Sequence, residues 1–154
     1  MTPGLCPCGS GADYSTCCGR FHKGEWASCP EQLMRSRYSA YVVGDADYLY
    51  HTWHPSARGE ETLDQFRRSL GKNNWLGLRI LRAEQVKGRD LVEFAAFYRD
   101  DRGKLAQLHE ESVFVEEGGQ WYYLEGRFLP DLKLGRNDAC YCGSGQKRKK
   151  CHPD

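Results

Sequence analysis

From Trp75 onward the chain alternates apolar and polar residues with a period of two. Leu76, Leu78 and Ile80 share one phase, followed by Val92, Phe94, Ala96 and Tyr98, then Leu108, Glu110, Ser112 and Phe114, then Trp121 and Tyr123. A period of two sends successive side chains to opposite faces of an extended backbone, so four strands are predicted. The segments between them, Lys87-Gly-Arg-Asp, Asp100-Asp-Arg-Gly and Glu117-Gly-Gly-Gln, are short and suit hairpins, which makes the sheet antiparallel and meandering.

Upstream the period changes. Pro30 opens a predicted helix with Glu31 in its first turn, and Leu33, Met34, Arg37, Tyr38, Tyr41 and Val42 fall largely on one face before Gly44 ends it. A second helix is predicted after Asp45, from Ala46 through Trp53, stopping before Pro55 because the residue preceding proline avoids the helical region. A third covers Glu60 to Leu70 and closes at Gly71. The chain changes character at Asn73-Asn74. Three helices followed by four antiparallel strands predict an α+β fold with the helices packed on one face of a curved sheet.

The two ends carry a different signal. Cys140-Tyr-Cys-Gly-Ser-Gly-Gln-Lys-Arg-Lys-Lys-Cys-His152 and Cys6-Pro-Cys-Gly-Ser-Gly-Ala-Asp-Tyr-Ser-Thr-Cys-Cys18 repeat one spacing, with six of thirteen positions identical and Cys18 standing where the other copy has His152. Each offers four soft or borderline ligands, the set that tetrahedral zinc takes, around a turn of small residues from Gly143 to Gly145 in the second copy. The expected metal ligands are Cys6, Cys8, Cys17 and Cys18 at one end, with His22 as a substitute, and Cys140, Cys142, Cys151 and His152 at the other. One zinc ion is expected at each, with iron as the competing metal. The first knuckle has little core of its own, and structural zinc supplies on the order of 10 kcal/mol of folding free energy to such modules. No carboxylate base neighbours either set, which points to a structural role. Cys29 is left over, either as a small buried apolar residue or as a reactive thiol.

These features divide 154 residues into a knuckle over 1–29, a core domain over 30–132 and a second knuckle over 133–154. Neither Cys-x-Cys nor the adjacent pair Cys17-Cys18 closes a disulfide without strain. Clustered cysteines in a reducing compartment are commonly metal ligands. The opening Met1-Thr-Pro-Gly-Leu-Cys has no basic start and no apolar segment, and no apolar run reaches the ~20 residues that span a bilayer. A cytoplasmic protein without a membrane anchor is therefore expected.

Net charge is only +1, but it is unevenly spread. Lys133, Arg136, Lys147, Arg148, Lys149 and Lys150 face only Asp138 and Asp154 in the last segment, while 30–132 has an acidic excess. A basic tail hanging from an acidic body is the picture this gives. Lys147 to Lys150 lie between ligands, so bound metal would hold four positive charges in a fixed, exposed loop. That loop suits an acidic protein surface or rRNA phosphates.

The segment from Gly135 to His152 resembles the SEC-C motif, the zinc-binding tail of the SecA translocation ATPase that docks onto the SecB chaperone and touches the ribosome. Ala139 and Tyr141 stand where proline is commoner. With a knuckle at each end and Leu33-Met-Arg-Ser-Arg-Tyr-Ser-Ala-Tyr, Asp45-Ala-Asp-Tyr-Leu, Thr52-Trp-His-Pro and Gly119-Gln-Trp-Tyr-Tyr between, the whole chain resembles the YchJ-like family of small bacterial proteins. The resemblance implies a nuclear-transport-factor-2-like cone, the zinc ligands and a bacterial cytosolic setting. It implies no reaction. The leading expectation is a non-enzymatic zinc-binding adaptor whose C-terminal knuckle recruits a SecB-like chaperone or the ribosome.

Two other readings compete. The cone fold brings a pocket, for which Arg35, Arg37, Tyr38, Trp53, His54, Trp75, His109, Glu110 and Trp121 are the candidates. A small-molecule ligand or substrate would sit there, with His54, or His109 paired with Glu110, available for acid/base work. His51 and His54, at i and i+3, have a metal-capable spacing but no third ligand. The last reading is a thiol redox or metal sensor in which oxidation ejects zinc and unfolds a knuckle.

Overall fold

The computed structural model describes residues 4–71, 74–142 and 145–152. Gly143 and Ser144 of the predicted tight turn, and Asn73 at the predicted change of character, lie outside the described residues. A 3-10 turn over Tyr14–Thr16 leads into α1 (Cys18–His22), followed by α2 (Pro30–Val43), α3 (Ala46–His51), α4 (Pro55–Arg58) and α5 (Leu63–Ser69). Four strands follow, β1 (Asn74–Val86), β2 (Arg89–Arg99), β3 (Leu105–Glu117) and β4 (Gln120–Phe128), and a single turn, α6 (Arg148–Cys151), ends the described chain.

The sheet is an antiparallel meander in the order β1-β2-β3-β4. Its first hairpin turns on Lys87 and Gly88, both at positive φ, the geometry whose twist matches that of the flanking strands. Against its concave face lies α2, whose Leu33, Met34 and Tyr38 pack with Val92, Phe94, Ala96 and Phe114 to form the main core. This is the helix-on-curved-sheet layout the element order predicts and the cone the family resemblance implies.

Several local predictions are corrected. Helix α3 ends at His51 because Thr52 and Trp53 leave it to meet β4, where the Tyr123 N–H donates to the Thr52 carbonyl at 2.8 Å. Pro55 starts a helix of its own: proline is well suited to a first helical position, and the His54 ring accepts from the Ser56 N–H at 3.1 Å. The next helix begins at Leu63 rather than Glu60, fixed by reciprocal bonds between Thr62 and Gln65. Four helices thus stand where three were predicted.

Leu76 does not share a face with Leu78. A register shift between Trp75 and Gly77 inserts Leu76 as an extra residue opposite β2, so Trp75 and Leu78 both reach the main core while Leu76 joins a second cluster on the other face. That cluster, Ala95, Phe97, Cys140 and Tyr141, is where the C-terminal knuckle sits on the sheet. The tail therefore does not hang free. The Gln107 amide brackets the Leu132 backbone, donating to its carbonyl at 3.0 Å and accepting its N–H at 2.7 Å, and the Arg79 Nη2 donates to the Ala139 carbonyl at 3.0 Å. The N-terminal knuckle rests on α2, which explains why Ser36, Ser39 and Ala40 are buried as well as the predicted face.

Candidate metal centres and the cone cavity

Each knuckle brings its four predicted ligands together. The donor atoms of Cys6, Cys8, Cys17 and Cys18 all lie within 4.8 Å of one another, as do those of Cys140, Cys142, Cys151 and His152. The turn after Cys8 folds the chain back through the Cys6 N–H donating to the Ala12 carbonyl at 2.9 Å, and α1 delivers Cys18 with Cys17 at its edge. At the other end, the Cys140 N–H donates to the Gln146 carbonyl at 2.8 Å, and the short α6 presents Cys151 beside His152.

The donor sets fit a tetrahedral ion. Zinc–thiolate bonds of about 2.3 Å imply sulfur–sulfur edges near 3.8 Å. Cys8 and Cys17 are 3.7 Å apart, Cys142 and Cys151 3.5 Å, and the His152 Nδ1 stands 3.2 Å from the Cys140 sulfur. All eight cysteines are free thiols. Burial pushes the Cys140 thiol up to about 11, and the neighbouring Cys6 and Cys8, with burial, push Cys18 up, while hydrogen bonds from Cys18 and Cys8 pull Cys6 down. Four thiols packed this closely cannot all ionise beside one another without a cation among them.

Outer contacts orient the ligands. The Ser39 hydroxyl reaches the Cys6 sulfur at 3.5 Å, the Ser10 hydroxyl reaches Cys17 at 3.2 Å, and Arg35 Nη1 donates to the Cys8 carbonyl at 2.9 Å. Nothing in the local sequence flags Ser39, which comes 33 residues after Cys6. His22 is not a ligand: one ring nitrogen meets the Tyr14 hydroxyl at 2.5 Å and the other the Ser36 carbonyl at 2.8 Å. Cys29 is half-buried just before α2, remote from both clusters. The basic run is a helical turn rather than a loop, with Lys147 and Lys150 exposed and Arg148 and Lys149 half-buried.

Between α2 and the sheet lies a cavity of about 260 Å³. Of the predicted pocket residues, Arg37, Tyr38, Trp75 and Glu110 line it, joined by Ser112 and Tyr123. Trp53 borders a neighbouring open groove, and Trp121 packs at the far side of the core. Arg35 is turned to Glu31 and the knuckle. His54 caps α4 and donates to Glu117 at 2.7 Å, while the His51 ring binds the Asp47 carbonyl, so these two imidazoles form no shared site. His109 faces the opposite side of the sheet from Glu110, because adjacent strand residues alternate, and it bonds Glu93 and the Pro130 carbonyl. The His109–Glu110 acid/base pair is therefore not formed. Burial, with Glu110 beside it, raises the Tyr123 phenol, which keeps its proton and donates to the Glu110 Oε2 at 3.0 Å.

Residues 29–126 match the family model described as the YchJ middle NTF2-like domain, and residues 5–20 match that of the SEC-C motif. Two UPF0225 proteins from Vibrio vulnificus, of strains CMCP6 and YJ016, are 44% and 43% identical, each match covering 95% of this chain and 96% of the relative. The solution structure of a SEC-C motif containing protein from Rhodopseudomonas palustris superposes with a TM-score of 0.71 at 38% identity, covering 81% of this chain and 98% of that one. The crystal structure of a SEC-C motif containing protein from Psychrobacter arcticus gives 0.68 at 28% identity, over 95% and 93%.

Proposed function

The chain belongs to the YchJ family, and on that footing we propose that it is a cytoplasmic zinc-binding adaptor, with one structural zinc ion in each knuckle and a docking surface on the second. The observation that carries this reading is the seating of the C-terminal knuckle. Tyr141 is 2% exposed between the ligands and the sheet, its ring packed edge-on against Phe97 at 5.5 Å, so the knuckle is held at one orientation. The turn that carries Cys151 then presents Lys147 and Lys150 to solvent.

Zinc bound by Cys140, Cys142, Cys151 and His152 would act as a crosslink that fixes this turn; with four protein ligands it leaves no open position for chemistry. The partner is an acidic surface of the export or translation machinery, a SecB-like chaperone or the ribosome, in line with the SEC-C resemblance. Among the described residues no helix is long and apolar enough to cross a membrane, which agrees with a cytoplasmic role.

The test is a pull-down of a SecB-like chaperone and a co-sedimentation with ribosomes, each at low and high salt, using wild type and the double variant K147E/K150E. The expected result is salt-sensitive binding to one of them that the variant loses while keeping its metal. Equal binding by the variant, or none by wild type to either, overturns the proposal.

A further inference from the structure

We propose that the cone cavity binds a small zwitterion, with its ammonium group on Glu110, its carboxylate on Arg37 and an apolar body against Trp75. Glu110 is buried at the cavity wall, and its Oε2 already accepts from the Ser112 and Tyr123 hydroxyls. Its Oε1 meets no donor among the described residues. Arg37 is equally buried, and its Nη1 donates to the Leu49 carbonyl at 2.8 Å and the Thr52 hydroxyl at 2.6 Å. Its Nε and Nη2 meet no acceptor among the described residues.

The two charges do not neutralise each other. No ion pair joins them; instead the Tyr123 side chain stands between, its ring 4.9 Å beneath the guanidinium and its hydroxyl on the carboxylate. Burying a charge is costly unless it is paired and hydrogen-bonded, so an open carboxylate oxygen and an open guanidinium edge on one cavity call for a ligand carrying both complements. A pure cation would satisfy Glu110 and be repelled by Arg37, and a pure anion would do the reverse. A zwitterion meets both.

The rest of the wall sets the body of the ligand. Trp75, with Tyr38 edge-on to it at 5.8 Å, and Phe94 and Leu108 form an apolar floor. The volume of about 260 Å³ is roughly nine waters' share of liquid at about 30 Å³ each, room for on the order of ten non-hydrogen atoms. That is the size of an amino acid with an apolar side chain. Gly126 leaves the carboxylate its place: a Cβ there would stand 2.2 Å from the Glu110 Oε2.

The experiment uses the full, metal-loaded chain and three probes: L-phenylalanine, phenethylamine, which keeps only the ammonium, and phenylacetate, which keeps only the carboxylate. Tryptophan fluorescence and saturation-transfer NMR report binding. L-phenylalanine is expected to bind at least tenfold more tightly than either half-molecule, and E110Q to lose that preference without loss of thermal stability. L108F, which narrows the cavity while leaving both charges, is expected to weaken L-phenylalanine binding at least tenfold and keeps the test decisive should E110Q fold poorly. No binding of L-phenylalanine, equal binding of all three probes, or binding unchanged in L108F overturns the proposal.

Discussion

The carbonyl oxygen of Tyr141 occupies the space where a side chain on Gly77 would begin: a Cβ at position 77 would lie 2.0 Å from it. The obstacle is backbone on both sides, so neither partner can swing away. Gly77→Ala is expected to lift the C-terminal knuckle from the sheet, at a cost of about 1–3 kcal/mol, the usual range for overpacking. Amide exchange resolved by segment checks this, with faster exchange over 132–152 and little change in α2. Uniform loss of protection across the chain would mean that the contact supports the whole fold rather than this docking.

Metal content separates the two knuckles. Protein purified without chelator is expected to hold two zinc ions per chain, and Cys8→Ser or Cys142→Ser to hold one. Cys29→Ser should retain two, since Cys29 stands outside both clusters. Elemental analysis gives the count directly, and a single ion in wild type would remove one knuckle from the account.

The Ser39 hydroxyl stands 3.5 Å from the Cys6 sulfur, placed as an outer-sphere partner of the first candidate site. Removing an outer-sphere partner of a metal ligand typically costs 10- to 100-fold in affinity. Ser39→Ala is accordingly expected to release its ion to a competing chelator at a 10- to 100-fold lower chelator concentration than wild type, with the second site unaffected. Simultaneous release from both would contradict the assignment.

The clasp on the outer sheet face is pH-dependent. The His109 Nε2 donates to the Glu93 Oε2 at 2.6 Å and its Nδ1 to the Pro130 carbonyl at 2.7 Å, and both partners only accept. Burial disfavours the charged ring, but these two bonds outweigh it and raise the His109 pKa above its ordinary 6.5. The His109 bond and Arg82 hold Glu93 below its ordinary 4.5. A raised histidine contributes stability in full below 6.5 and loses it as pH climbs through the folded value; a depressed carboxylate contributes above 4.5 and loses it on acidification. The clasp is thus strongest between those limits. An NMR titration of the His109 ring should show a midpoint above 6.5, and the Leu129 amide, bonded to the His109 carbonyl, should lose protection above it after correction for intrinsic exchange. A midpoint at or below 6.5 would refute the doubly bonded imidazolium.

The sheet was legible in the sequence because alternation and paired glycines are local signals, and Gly118 with Gly119 adopts positive φ as that turn requires. The grouping of ligands within each knuckle was equally legible, since thirteen residues of repeated spacing fix it without reference to the rest of the fold. Leu76 shows the limit. One inserted residue reversed the phase of β1 and turned it toward a knuckle more than fifty residues away. Docking of the tail depends on Gly77 and Phe97 meeting Tyr141 and on Gln107 meeting Leu132, contacts between distant segments that no local period records. His109 was misplaced for a simpler reason, because it was paired with its neighbour Glu110 although alternation sends the two to opposite faces.

Strand β1 forms one edge of the sheet and β4 the other. The Thr52–His54 segment covers part of the β4 edge, its backbone bonding that of Tyr123. At β1 the N-terminal knuckle brings Gly9 toward the Leu78 carbonyl, while the C-terminal knuckle lies on the neighbouring sheet face, with Tyr141 over Gly77. An uncovered edge is a template for pairing with other chains. The metal ions would then guard solubility as well as shape, and chelated protein would be lost first to β-rich aggregates seeded at this strand, faster at higher concentration, rather than to simple unfolding.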